Sequence, residues 1–407
     1  MIFINPSDIG RASDNMTDEI FRRDGYLFNF EAEVVSVEGD EVILDTTAFY
    51  PGGGGQVCDT GSIRDRKVTE VRMKGKDVVH IVPGNDLSKG DIVWCEVDWD
   101  RRYDLMRGHT GEHLLFCSLK RQCPDLTITK IYISPESKYV IVDRDLTFGQ
   151  IRAALEFANQ AIRDNLPVTK SVMDRDDPDL EKVRIKLDRI PEDEEITVVA
   201  IGDIDLSACS GIHVMETSEL EFITVDRKVS AGKEGVAIHF KIGDAAKDAA
   251  LGLSIDAMEI TDEIGCKAED SPKAVANMKR ELELDRKLLK SASKAILDSS
   301  PIEEIAGCKV FTACVPGGDR TAMSEKAESI RSEGGIAAIV SVGETLSVML
   351  ASGSEAVDCK KIIGDVLKEF GGRGGGKPEF SQGGAPDPES AEKVLESLKE
   401  AVSKALS

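Results

Sequence analysis

Two short pairs of metal-ligating side chains, far apart in the chain, place the strongest constraint on its fold. His109 and His113 stand four residues apart in HTGEH, and Cys209 and His213 have the same spacing in CSGIH. On a helix, residues at i and i+4 share a face, so both imidazoles of the first pair can reach one ion. Imidazole and thiolate together suit zinc, which takes four such ligands in a tetrahedral set. The pattern therefore predicts a domain that brings both pairs to one zinc ion.

The residues alone leave three interpretations of this constellation open. With Glu112, the first pair matches H-x-x-E-H, a zinc-peptidase pattern in which the glutamate is a general base, but the second pair would then have no role. A zinc ion with four protein ligands and no open position would only stabilise the fold. The glycine-rich run TAFYPGGGGQ favours a centre that binds a ligand, because its backbone N–H groups could face a bound group.

The pattern of apolar runs predicts a mixed α/β (α+β) fold with several domains. Short alternating runs separated by Gly, Asp and Asn predict a β-barrel over 21–97. Strands and helices alternate over 98–243, which predicts a two-layer α/β domain carrying both ligand pairs. Long charged helical patterns over 244–298 predict a helical arm, and 299–407 predicts a small α/β domain containing a glycine loop, GGRGGGKPEFSQGGAPD. Residues 1–20 are expected to be an N-terminal extension.

Charge and cysteine usage narrow the class of protein. The net charge of -23 argues against wholesale coating of nucleic acid or an anionic membrane, although it permits a local basic groove. No run approaches the roughly 18 apolar residues of a membrane helix, and MIFINPSDIGRASDN lacks the regions of a secretory signal. Nine cysteines without a C-x-x-C pair fit reduced thiols better than a disulfide framework. We expect a soluble, cytoplasmic protein.

Four stretches, in chain order, carry a resemblance to a known family. They are TAFYPGGGGQ, HTGEHLL, VVAIGDIDLSACSGIHV and GGRGGGKPEFSQGGAPD. Together they resemble the editing half of alanyl-tRNA synthetases and its free-standing relatives, the AlaX trans-editing proteins. The long form of AlaX also carries a C-terminal domain shared with the synthetase and with DHH-type phosphoesterases. The resemblance covers the chain from about residue 20 to its end, and MTDEIF at Met16 would make a family-like start.

The resemblance implies hydrolysis of the ester in wrongly charged alanine tRNA, seryl-tRNA first and glycyl-tRNA second. No class II aminoacylation core precedes the barrel, so we expect an editor that acts in trans. The matching positions assign one zinc ion to His109, His113, Cys209 and His213. Thr47 matches the threonine associated with recognising the serine hydroxyl, and Gln56 ends the same motif. A strand-end threonine that only satisfies backbone is the alternative for Thr47.

The implied partner is mischarged alanine tRNA, and the C-terminal domain is expected to bind the outer corner of tRNA and to mediate homodimerisation. In so acidic a chain, local cations must contact the nucleic acid, although such clusters are also common on solvated faces. The cations expected along the path of the acceptor end are Arg101, Arg102, Arg107, Lys120, Arg121 and Lys130. In the C-terminal domain, Arg373 and Lys377 are expected to contact phosphates.

Two departures from the synthetase pattern bear on the site. Where the synthetase usually reads C-G-G-T-H, Ser210 and Ile212 stand here and remove a hydroxyl beside the metal. Glu112 occupies a place where synthetases often have threonine. As a catalytic residue it would be a general base, but it lies about 100° from the ligand face of a helix. We therefore favour a solvated or tRNA-facing carboxylate.

Two further functions stay open at this point. One is a tRNA-binding adaptor whose zinc is purely structural, and the other is a peptidase of the H-x-x-E-H type. The remaining histidines, His80 and His239, lie in strand-like runs and are expected to be packing or surface residues.

Overall fold

The computed structural model describes residues 17–185, 187, 190 and 196–407. The chain divides into two compact units, one ending at Glu259 and the other beginning at Ile260. Both units mix helices and strands, and the first contains a nearly closed, barrel-like sheet, so the predicted fold class is confirmed. Most of the predicted N-terminal extension lies outside the described residues. Within the described residues, no helix combines the length and apolar character needed to cross a membrane.

The first unit begins with the barrel-like sheet. Seven strands pair in the order β6-β5-β9-β2-β3-β8-β7, and β1 pairs with β4 in parallel. Apolar residues alternate with exposed ones along β2 and β9, which turns one face of the sheet toward the core. The strands are β1 (Asp18–Glu19), β2 (Asn29–Glu38), β3 (Glu41–Leu44), β4 (Thr46–Thr47), β5 (Gly61–Ile63), β6 (Arg66–Val68), β7 (Glu70–Lys74), β8 (Asp77–Ile81) and β9 (Ile92–Val97).

Helix α1 (Trp99–Gln122) is the central element of this unit. Asp98 caps its first turn by accepting a hydrogen bond from the backbone N–H of Arg101, and Lys120 and Arg121 stand in its last turn, where the helix dipole favours cations. Nearly every residue from Leu105 to Leu119 is buried, because strands and α2 (Phe148–Arg163) surround the helix. A helix buried on all sides can hold polar side chains in a dry interior.

Two smaller sheets complete the first unit. Strands β10 (Ile128–Ile133), β11 (Lys138–Val142), β15 (Ile223–Ser230) and β16 (Val236–Ile242) form an antiparallel sheet in the order β10-β11-β16-β15. Strands β12 (Val168–Met173), β13 (Ile196–Ile201) and β14 (Asp205–Ala208) form the other. Helix α3 (Gly243–Ile264) crosses the division between the units.

The second unit holds one six-stranded sheet in the order β17-β18-β19-β20-β22-β21. Its helices are α4 (Ser271–Ser299), α5 (Arg320–Ser332), α6 (Cys359–Glu369) and α7 (Ala391–Leu406). Its strands are β17 (Ile302–Ile305), β18 (Cys308–Pro316), β19 (Ile336–Val342), β20 (Leu346–Ser352), β21 (Arg373–Lys377) and β22 (Phe380–Ala385). The domain limits at 97/98, 243/244 and 298/299 stay predictions.

The glycine loop predicted in this unit is instead a β-hairpin, and that prediction is corrected. Strands β21 and β22 pair antiparallel, with Arg373 opposite Gly384 and Lys377 opposite Phe380. Glycine is a poor strand former, which hid the hairpin in the sequence. Packing explains its presence: a Cβ added to Gly374 would lie 2.1 Å from Ile363 Cγ2 of α6. The glycine therefore lets α6 lie directly on the edge of the sheet.

Candidate metal centre

The two ligand pairs reach the centre from different elements of the first unit. Helix α1 carries His109 and His113 on one face, and Cys209 and His213 lie in the turn that follows β14. The backbone N–H of Cys209 donates to the Thr197 carbonyl at 2.9 Å, which joins this turn to the neighbouring strand. The backbone N–H of Val214 donates to Thr110 Oγ1 at 3.2 Å, which joins it to α1. The turn is therefore fixed at both ends.

The four side chains converge in space. One ligand atom from each residue lies within 4.8 Å of the others, and Cys209 Sγ is 3.4 Å from Nε2 of both His109 and His213. Tetrahedral zinc, with bonds of about 2.0 Å to nitrogen and 2.3 Å to sulfur, requires nitrogen–sulfur separations of about 3.5 Å. A Cβ added to Gly211 would lie 2.2 Å from His109 Cε1, so only glycine permits this close approach. The cluster could hold a metal ion in its observed geometry.

Each imidazole has a second partner on the side away from the centre. Nδ1 of His109 donates to Gln56 Oε1 at 2.7 Å, and Nδ1 of His113 donates to Asp205 Oδ2 at 3.1 Å. Nδ1 of His213 pairs with Thr110 Oγ1 at 3.1 Å. Such partners fix the ring orientation and leave Nε2 available to a metal ion. All three rings are thus oriented before an ion binds.

The surroundings of the cluster shift the pKa values of three of its ligands, and these shifts determine the charge that a cation would meet. Burial opposes ionisation of Cys209, but His109 and His213 together hold the pKa of its thiol well below the ordinary value. Burial also opposes protonation of His113, yet the hydrogen bond to Asp205 and the contact with Cys209 raise its pKa to about 10. Burial and His109 lower the pKa of His213 to about 3. A bound cation would replace the proton on His113 and meet a thiolate at Cys209.

Glu112 is not solvated, so the interpretation that we favoured from the sequence is corrected. Its side chain is 0% exposed, because strands and loops enclose this part of α1. Oε2 lies 3.7 Å from His113 Nε2, on the metal side of the ring. Neither carboxylate oxygen has a hydrogen-bond partner among the described residues. The carboxylate therefore belongs to the interior beside the centre and cannot face bulk solvent.

Thr47 is buried, and its hydroxyl already has two partners. Oγ1 lies 2.8 Å from His80 Nε2 and accepts a hydrogen bond from the backbone N–H of Phe49 at 3.1 Å. Burial lowers the pKa of His80 to about 4, so its ring is neutral, and Nδ1 donates to the Val42 carbonyl at 3.1 Å. The Thr47 hydroxyl therefore donates to His80. Its predicted part in serine recognition stays a prediction.

The structure separates the predicted cations into those that are exposed and those that bond to other residues of the protein. Lys120, Arg121 and Lys130 are exposed in the first unit, as are Arg373 and Lys377 in the second. Arg101 donates to the Cys58 carbonyl, and Arg107 pairs with Glu221 at 3.2 Å.

Arg102 is a correction to the predicted tRNA path. Its side chain is 0% exposed and forms an ion pair with Asp59, which is also fully buried. A guanidinium enclosed in this way cannot contact a phosphate, so Arg102 is a structural residue.

Several residues at the centre were missed in the sequence. Asp205 and Thr110 support the ligands, and Arg184 lies behind Asp205, with Nη2 at 3.3 Å from its Oδ2. In the sequence, the only indication for Asp205 was its position four residues before Cys209. That position brings Asp205 to the centre only once β13 and β14 pair.

An Asp205→Asn variant should bind zinc about 10- to 100-fold more weakly, the usual effect of losing a carboxylate behind a ligating histidine. The amide can still accept from His113 Nδ1, but it carries no charge to strengthen that ligand. Competition with a chromophoric chelator measures the affinity. Asp203→Asn, an exposed change in the preceding turn, provides the control. Equal affinities for wild type and Asp205→Asn would mean that Asp205 does not support the ligand.

Comparisons with known proteins relate parts of this chain to tRNA synthetases. The family model "tRNA synthetases class II (A)" matches residues 19–101, and the DHHA1 domain model matches residues 307–404. An alanine–tRNA ligase of Methanoregula boonei is 29% identical over 93% of this chain and 42% of its own length. Those of Pyrobaculum neutrophilum and Methanoculleus marisnigri are 30% and 31% identical, over 99% and 90% of this chain and 46% and 41% of theirs. The chain thus spans less than half the length of these relatives.

Among solved structures, the C-Ala domain of Aquifex aeolicus alanyl-tRNA synthetase is 22% identical to this chain. The match covers 25% of this chain and 98% of that domain, with a TM-score of 0.24.

Proposed function

We propose that this chain, a homologue of alanine–tRNA ligases along almost its whole length, hydrolyses the ester of mischarged alanine tRNA. Seryl-tRNA is the proposed first substrate and glycyl-tRNA the second. The observation that carries the proposal is the convergence of His109, His113, Cys209 and His213, with every imidazole held from behind. The names of the relatives connect them with alanine and tRNA. The four-residue cluster, which could hold a metal ion, supports ester hydrolysis as the reaction.

Zinc is the proposed ion, because three imidazoles and one thiolate form a donor set typical of it. When bound, it would supply positive charge to polarise the ester carbonyl or to activate water. Four protein ligands would fill a tetrahedral shell. We therefore propose that one ligand is loosely held and exchanges for water or substrate. A centre that never exchanges a ligand would support the adaptor alternative.

The glycine-rich loop supplies the neighbouring surface for the substrate. Gly52, Gly53, Gly54 and Gly55 all have positive φ, and the backbones of Gly53 and Gln56 exchange two hydrogen bonds of 3.0 Å. Gln56 is thereby held with Oε1 on His109, while its buried Nε2 has no partner among the described residues. We propose that Gln56 serves the site by positioning His109, because its buried amide lies behind that ring.

Exposed cations provide the proposed tRNA contacts. Lys120 and Arg121 end the helix that carries the first ligand pair, and Lys130 lies on the adjacent strand β10. Arg373 and Lys377 are the proposed phosphate contacts of the second unit, which we also propose as the homodimer interface. With a net charge of -23, the chain must bind phosphates through these local cations. Each such contact releases counterions, so binding should weaken strongly as the salt concentration rises.

A deacylation assay tests the proposal and separates its alternatives. Preformed seryl-, glycyl- and alanyl-tRNA are incubated with the full chain, and loss of each ester is followed in a single turnover. We expect seryl-tRNA to be hydrolysed and alanyl-tRNA to be largely spared, with the protein acting in trans. Binding of tRNA without hydrolysis would support the adaptor, and cleavage of an unstructured peptide would support the peptidase.

Thr47→Val should lower the ratio of seryl-tRNA to alanyl-tRNA hydrolysis rates by roughly tenfold, because a hydrogen bond worth about 1–3 kcal/mol is lost. Thr47→Ser retains the hydroxyl and should retain the preference. The measurement is the ratio of the two single-turnover rates, with zinc content as a control. If Thr47→Val lowers stability but leaves the ratio unchanged, the hydroxyl serves only its partners within the protein, His80 and the Phe49 N–H, and has no role in recognition.

A further inference from the structure

Glu112 is a buried carboxylate that lacks the partners that comparable acids have. Among the described residues, Asp59 is equally buried but is paired with Arg102 and accepts the Tyr50 N–H at 2.6 Å. Asp205, almost as buried, accepts from His113, Arg184 and Ser207. Both oxygens of Glu112 lack hydrogen bonds within the described part of the chain. Its carboxylate therefore has hydrogen-bonding capacity that the described residues leave unfilled.

An isolated buried carboxylate is costly unless a cation or hydrogen-bond donors compensate it. In the described residues, the only basic side chain within 4.0 Å of Glu112 is His113, through Nε2 at 3.7 Å. That nitrogen is the one which faces the metal centre, because Nδ1 is engaged with Asp205. Arg184 adds attraction from further away, but its hydrogen bond goes to Asp205. The uncompensated oxygens thus lie on the side where an ion would bind.

The donor set points to the same partner. Three neutral imidazoles and one thiolate bring a single negative charge to a bound divalent ion, so one positive charge is left uncompensated by the ligands. Asp205 is already paired with Arg184, whereas the Glu112 carboxylate lies beside Nε2 of His113 and can supply the second negative charge.

We propose that Glu112 is a positioning residue of the metal centre: its carboxylate lies beside the four ligands and would balance the charge of a bound ion. The role rests on the ion of the proposed function, but it concerns ion binding and is independent of tRNA hydrolysis. It also explains how a glutamate can occupy the interior of α1 next to a ligand. The residue holds the ion in place without being one of its four ligands.

The test is zinc affinity of the full-length protein, measured by competition with a chromophoric chelator. Glu112→Gln keeps the shape of the side chain and removes its charge, and we expect at least tenfold weaker binding. Glu112→Asp keeps the charge and should remain within about threefold of wild type. Glu156→Gln removes one exposed charge from the same unit and should leave the affinity unchanged.

Thermal unfolding of the zinc-free proteins provides a second readout. Neither oxygen of Glu112 has a hydrogen-bond partner among the described residues, and its ionic neighbour is His113 at 3.7 Å, so Glu112→Gln should change the unfolding temperature of the zinc-free protein only slightly. Zinc affinity of Glu112→Gln within twofold of wild type would overturn the proposal. Equal losses of affinity in the Gln and Asp variants, with lower unfolding temperatures for both, would also overturn it, because packing would then be the cause. If wild type binds zinc as expected but does not deacylate seryl-tRNA, only the proposed function fails.

Discussion

A Cys209→Ala variant is expected to bind zinc about 100- to 1,000-fold more weakly and to lose hydrolysis of seryl-tRNA. Zinc sites of this kind contribute roughly 10–16 kcal/mol, so removing one of four ligands should cost about 3–4 kcal/mol. Cys209 is also the only anionic ligand, and its Sγ lies 3.4 Å from two of the three Nε2 atoms. Losing it therefore removes both a bond and the charge that attracts the cation.

Metal content of the purified variant and its single-turnover rate on seryl-tRNA are the two measurements. Cys123→Ala provides the control, because Cys123 is a half-buried free thiol of the same unit that is not among the four ligands. A Cys209→Ala protein that retains zinc but loses hydrolysis would place the thiolate in the chemistry instead of in ion binding. One that loses zinc, remains folded and hydrolyses seryl-tRNA at the wild-type rate would refute a role for the centre.

Arg102→Met is expected to lower the free energy of unfolding by about 3–5 kcal/mol, because it leaves the carboxylate of Asp59 buried without its cation. The guanidinium also donates to the carbonyls of Gly25 and Ala48. Asp59 in turn accepts the Tyr50 N–H, so the pair attaches both ends of the glycine-rich loop to helix α1. The variant should therefore weaken the placement of Gln56 as well as the stability of the first unit.

Denaturant-induced unfolding followed by circular dichroism measures this effect. Arg64→Met breaks an exposed pair with Asp91 and should cost at most about 1 kcal/mol. Arg102→Met combined with Asp59→Asn should recover part of the loss, because the unpaired charge is then gone. A loss for Arg102→Met no larger than that of the Arg64→Met control would contradict the structural role assigned to the buried pair.

Sequence patterns over a few residues correctly predicted the features that depend only on neighbouring residues, such as helix faces and strand alternation. The i, i+4 spacing placed His109 and His113 on one helix face, and alternating apolar residues predicted the strands of the barrel-like sheet. The same reasoning could not separate Arg101 from Arg102, because their exposure depends on where Asp59 lies after the loop has folded. Glu112 was misjudged for a related reason: helical geometry gives its direction, but only the surrounding strands show that this direction is buried.

Partners contributed by distant segments were beyond reach from the sequence. Asp205 supports His113 only because β13 and β14 pair beside α1. Thr110 of α1 likewise contacts His213 in the turn that follows β14. The hairpin of β21 and β22 was concealed by glycine, whose weak strand propensity is overridden here by the close packing of α6. In each case tertiary contact, which has no local signature, decides the role of the residue.

The most direct test of the central claim is hydrolysis of seryl-tRNA by zinc-free protein as zinc is restored in known amounts. We predict that the rate is near background without metal, rises in proportion to added zinc and reaches its maximum at one equivalent per chain. Hydrolysis at the full rate by protein shown to contain no metal would contradict the claim that the His109, His113, Cys209 and His213 centre performs this function.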